Sequence, residues 1–154
     1  MRVLLMDADM VDRWQEMRLA LWPEATVEVH RKEMRDCLAN PDRYAAFLCE
    51  DDAGIPSGFA EVALRMDYVN GCETSPVAFL EGIFVAPSHR RRGVAHALVI
   101  AVERWALSRG CRELASDTGL ANLASQSLHL KLGFAETERV VYFRKELREA
   151  PKEN

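Results

Sequence analysis

The stretch from Val77 to Ala106, VAFLEGIFVAPSHRRRGVAHALVIAVERWA, constrains the fold more than any other part of the 154-residue chain. Its first nine residues alternate, with Val77, Phe79, Glu81, Ile83 and Val85 directed one way and Ala78, Leu80, Gly82 and Phe84 the other. Both sets are largely apolar, the pattern of a central strand covered on two faces. Pro87 removes an amide from the ladder and ends the strand. Arg90-Arg91-Arg92-Gly93-Val94-Ala95 then opens a helix with Val94, Leu98, Ala101 and Trp105 on one face. A strand, a basic turn with a glycine and a helix start leave free amides at the positive end of a helix dipole, which is an anion site. The amides from Arg91 to His96 are its candidate ligands, and a phosphate is the expected guest. A carboxylate inside the strand, Glu81, must be paired, solvated in a cleft or used.

A length of 154 residues with 49% hydrophobic and 29% charged content supports one globular domain with a sizeable core. It is expected to occupy residues 1–147, with a charged, frayed tail at 148–154. The net charge of −4 argues against nucleic acid and suits a cationic partner. The triple arginine lacks interleaved aromatics and a second basic patch. No secretory leader or membrane-spanning run is read, so no membrane partner is expected. Cys37, Cys49, Cys72 and Cys111 lack metal spacing and are expected as free thiols of a cytoplasmic protein. His30, His89, His96 and His129 lack metal grouping and are read as surface or capping residues, so no metal is expected.

The remaining pattern predicts a strand at 3–6 and helices over 11–21 and 27–38. It also predicts strands at 44–49, 55–69 and 111–115, a helix near 122–132, and strands at 134–135 and 140–145. Fold class is α/β, a central mixed sheet flanked by helices on both faces.

The spacing Arg-x-x-Gly-x-Ala, from Arg90 to Ala95 after a buried strand, resembles the acetyl-CoA signature of the GNAT acetyltransferase superfamily. Trp22, the run Asp67 to Pro76, Phe79 to Val85, Ala115 to Thr118 and Phe134 to Val140 resemble one subgroup, the chromosomal Gram-negative aminoglycoside 6'-N-acetyltransferases. The resemblance implies acetyl-CoA as co-substrate, aminoglycosides as acceptors and a homodimer. It implies that Arg91, Arg92, Gly93, Val94, Ala95 and His96 hold the diphosphate, and that backbone at Ile83, Phe84 and Val85 pairs with the pantetheine arm. Asn122 matches a position that contacts this arm, while its plain reading is a helix N-cap. Glu81, Asp117 and Glu138 match acids that contact substrate, and Trp22 and Tyr68 match its walls. Read alone, Asp117 is a turn cap and Glu138 a solvated hairpin charge.

The chemistry needs a base for the protonated amine. Glu81 is the first choice and Asp117 the second, with Tyr142 in the place of the acid that protonates the thiolate. Two further readings are an acetyltransferase of another polyamine or amino sugar, and a non-catalytic acyl-CoA-binding module. Ala95, where many members have glycine, is allowed by the signature. Pro23 to Val29 aligns poorly with the family and borders its substrate.

Overall fold

The computed structural model describes residues 1–147. The expected charged tail at 148–154 lies outside them. Five strands, β1 (Arg2–Leu5), β2 (Tyr44–Glu50), β3 (Pro56–Arg65), β4 (Val77–Val85) and β5 (Leu114–Ser116), form one sheet in sequence order. The first four are antiparallel neighbours, and β5 runs parallel to β4. Helix α3 (Val94–Ser108) makes the crossover between β4 and β5. Helices α1 (Val11–Leu21) and α2 (Val27–Ala39) join β1 to β2, and α4 (Leu123–Lys131) follows β5.

Strand alternation divides the core in two. Ala45, Phe47, Ala60, Val62, Ala78 and Leu80 meet Val94, Leu98, Val102 and Ala106 of α3 on one face. Ala46, Leu48 and Phe59 meet Trp14 and Met17 of α1 and Met34 of α2 on the other. Helices on both faces leave the central strands dry, as their double apolar pattern requires.

The expected unbroken alternation of β4 fails at Glu81. Glu61 of β3 pairs with Gly82, whereas the next residue, Val62, pairs with Leu80, so Glu81 is an extra residue in the strand. This is a β-bulge, and it reverses the side-chain faces beyond it. Ala78 and Leu80 before the bulge and Ile83 and Val85 after it all pack toward α3. Phe84 turns toward the α1–α2 face instead. The bulge therefore takes the carboxylate out of the core pattern and exposes it.

Other boundaries also shift. β3 ends at Arg65 rather than 69, because Arg65 pairs with Val77, the first residue of β4, and nothing remains beyond to pair with. The expected 111–115 strand is confined to Leu114–Ser116 by its three-residue match to Ala78–Leu80. The helix expected to open at Arg90 begins at Val94, after a left-handed Gly93. The strands expected at 134–135 and 140–145 are absent among the described residues. A short β5 offers little ladder there, and Val141, Tyr142 and Phe143 stand exposed.

Candidate active site

A cleft of about 490 Å³ opens between the C-terminus of α1, the side of α2 from His30 to Cys37, the start of β2 and the middle of β3 and β4. Five carboxylates line it: Glu24, Glu33, Asp36, Glu61 and Glu81. Trp22, His30, Tyr44 and Cys37 supply much of the remaining wall, and Arg18 is its sole guanidinium. A cavity with this lining attracts cations and offers them charge-assisted hydrogen bonds.

The floor is an ionic knot. Arg18 is 4% exposed. Its Nη1 donates to both oxygens of Glu61, at 2.6 and 2.7 Å, and its Nη2 donates to Glu33. Trp14 Nε1 gives Glu61 a further hydrogen bond at 2.6 Å. Burial pushes the Glu61 carboxyl up, while the Arg18 charge and the donors from Trp14 and Arg18 oppose it. At the mouth, Glu81 accepts a 2.9 Å hydrogen bond from Nη2 of Arg65. That guanidinium lies 3.5 Å from the ring centroid of Phe79. Glu81 thus already holds a cation, the Arg65 guanidinium.

Beside Glu81 the sheet splits. β5 ends at Ser116, opposite Leu80. From Glu81 to Val85, β4 has β3 on one side and no strand on the other among the described residues. An extended amide-containing chain fits such an edge as an added strand. Further along, Arg91 takes φ 58° and Gly93 φ 82°, both left-handed. Glycine adopts this geometry without a steric penalty. Gly93 is the N-cap of α3 and no side chain caps the helix, so its first amides are left for a ligand. Arg90, Arg91 and Arg92 are exposed around them. This side-chain-free, basic helix start fits a diphosphate.

Of the residues singled out from sequence, Trp22 and Glu81 share the acidic cleft. Ile83, Phe84 and Val85 lie on the unpaired edge, and Arg91 to His96 form the helix start. Asn122 caps α4, its Oδ1 accepting from the Ser125 amide at 3.1 Å. Tyr68, Asp117, Glu138 and Tyr142 are exposed and line no part of the cleft. Sequence reading missed Glu24, Glu33, Asp36 and Glu61 as cleft acids. It also took His30 for a surface or capping residue, whereas His30 is fully buried. His129 is also more than a cap: its Nε2 lies 2.8 Å from the Ser116 Oγ at the split.

Cys37 is the thiol on the cleft wall, and burial, reinforced by the Glu61 charge, pushes it up to about 12. It is therefore a thiol and no nucleophile at neutral pH. Iodoacetamide at pH 8 should leave Cys37 unmodified in the native protein and label it after denaturation. Peptide mass mapping checks this, and rapid native labelling of Cys37 would contradict it.

The fold and site together define an acyl-CoA-dependent transferase, and the chain belongs to the acetyltransferase (GNAT) family, whose model matches residues 9–134. It is 56% identical to an aminoglycoside N(6')-acetyltransferase type 1 of Serratia marcescens, over 94% of this chain and 99% of the relative. It is 44% identical to the enzyme of the same name from Acinetobacter baumannii, over 96% and 99% of the two chains. A solved structure of AAC(6')-Iy with the bisubstrate analogue CoA-S-monomethyl-acetylneamine superposes with a TM-score of 0.90. That pair is 46% identical and covers 95% of this chain and 98% of the other.

Proposed function

We propose that this protein transfers the acetyl group of acetyl-CoA to the 6'-amino group of aminoglycosides, by direct attack in a ternary complex, and so confers resistance. The observation that carries the reading is the carboxylate-lined cleft meeting the unpaired edge of β4 at Glu81. Aminoglycosides are polycations, and a row of acids beside an acyl-carrier groove is the complement they require.

Acetyl-CoA supplies the acyl group as a thioester. The Arg91–His96 amides and nearby arginines hold its diphosphate, and the backbone of Ile83, Phe84 and Val85 receives its arm. Asn122 contacts that arm in addition to capping α4. An amide of this edge polarises the carbonyl. Glu81 accepts the proton of the attacking amine, with Asp117 as the reserve base, and Tyr142 returns a proton to the departing thiolate. Trp22 and Tyr68 wall the substrate, and Asp117 and Glu138 bind its other ammonium groups.

The working unit in this reading is a homodimer in which Glu138 comes from the neighbouring subunit. Val141, Tyr142, Phe143 and Leu147, and Leu120, Leu123 and Leu130 in and before α4, are large apolar side chains left exposed. A second copy would cover such side chains. The four unpaired thiols suit the reducing cytoplasm. The net charge of −4 favours small cations over nucleic acid or anionic membranes as partners.

Thiol release from acetyl-CoA should follow addition of kanamycin or tobramycin to the purified protein, with the product acetylated at the 6'-nitrogen. A polyamine and a peptide belong in the same panel. Release with the polyamine alone would indicate another amine acetyltransferase. No release with any acceptor, while acetyl-CoA still binds, would indicate a binding module.

A further inference from the structure

The last turn of α1 leaves carbonyl groups without helical partners. Trp22 is the C-cap, at φ −124° and ψ 69°, and its carbonyl oxygen lies 3.2 Å from Nε2 of His30. The other ring nitrogen, Nδ1, lies 3.1 Å from Nε of Arg18. A guanidinium only donates, so Nδ1 accepts and the ring proton sits on Nε2, which donates to the Trp22 carbonyl. His30 is 0% exposed, and the N-terminal half of α2 delivers it to this place. The Trp22 carbonyl also accepts from the Ala25 amide at 3.3 Å.

The indole of Trp22 is confined as well. A Cβ on Gly82 would meet it at 2.5 Å, so the ring lies directly on the backbone of the bulge beside Glu81. Phe59 meets it edge-on at 6.1 Å, and the Arg18 guanidinium sits 4.8 Å from its centroid. These contacts hold the ring, whereas His30 holds the peptide from which the ring departs.

We propose that His30 is a positioning residue for Trp22: it fixes the carbonyl at the end of α1 and thereby the width of the cleft between the indole and the acids of α2. This rests on the reading that the cleft takes the aminoglycoside. His30→Leu removes both hydrogen bonds at nearly constant volume. His30→Gln keeps an acceptor and a donor at similar spacing, and His30→Asn is too short to bridge both partners.

Steady-state kinetics should show KM for tobramycin raised about tenfold in His30→Leu and His30→Asn, with kcat and the KM for acetyl-CoA within about twofold of wild type. His30→Gln should restore the tobramycin KM. Should His30→Leu not fold, the contrast between His30→Gln and His30→Asn carries the test. An unchanged tobramycin KM in the Asn variant, even with a lowered Tm, would overturn the proposal, as would a Gln variant as impaired as Asn. Trp22→Ala separates the two layers. If it raises the tobramycin KM while the His30 variants do not, the His30 role alone falls. If it too leaves that KM unchanged, the placement of substrate in this cleft falls with it.

Discussion

Replacing Glu81 with glutamine should lower kcat for kanamycin by roughly 10²-fold or more, the range of a lost general base. Glutamine keeps the size of the side chain and its carbonyl can still accept from Arg65, so folding should be little affected. The two roles open to Glu81, base and ammonium anchor, part in the kinetics. Loss of an anchor raises KM, and loss of a base lowers kcat. The deficit should narrow as pH rises, because a growing fraction of the amine is then already neutral and needs no acceptor. Full turnover of Glu81→Gln across the pH range would eliminate Glu81 as the base and move the role to Asp117.

Arg18→Met should destabilise the protein by about 3–5 kcal/mol, since it leaves the buried Glu61 carboxylate without its cation. For a chain of this length that corresponds to a Tm lower by roughly 6–20 °C. The loss should depend on pH. Burial already raises Glu61, and removing Arg18 deletes the main opposing cause. The folded variant then binds a proton more tightly than the unfolded chain does. Its stability is retained as pH falls to the ordinary carboxylate range and is lost as pH rises through the raised value. Glu61→Gln added to Arg18→Met keeps an acceptor for Trp14 and removes the charge, so the double variant should recover more than half of the loss. Urea unfolding at pH 5 and pH 8 measures both effects. A single-variant loss below about 1 kcal/mol at pH 8 would mean that Arg18 compensates no buried charge.

The turn that opens α3 was legible in the sequence because it is local. Arg90 to Ala95, with a glycine between a strand and a helix, specifies its own turn, and the structure places Gly93 as the cap. The four helices and first five strands were legible from periodicity, but the bulge was not, and the strands expected at 134–135 and 140–145 are not formed among the described residues. Glu81 was noticed as a charge in an apolar strand, but the bulge that exposes it arises from register against β3, which no window of β4 contains. The acidic wall was hidden for a similar reason. Glu24, Glu33 and Asp36 look like ordinary charges around an amphipathic helix, and only the packing of α2 beside β2 and β3 turns them to one cleft. Arg18 within the apolar face of α1 and Glu61 within Phe59-Ala60-Glu61-Val62-Ala63 did carry a signal. Opposite charges in two apolar surroundings imply each other, and pairing them would have located the floor of the cleft. His30 gave no such sign.

The extra residue in β4 has a consequence for how this chain can vary. It divides one strand into two segments whose inward-facing positions follow opposite parity. The segment before it borders Val69 and Cys72 of the connecting loop, and the segment after it presents bare main chain. Side-chain changes in the first half meet that loop, whereas changes in the second half meet the core at Ile83, Phe84 and Val85 and the Trp22 ring at Gly82. Deleting residue 81 would bring the two halves into one phase, yielding a more regular strand without the exposed carboxylate.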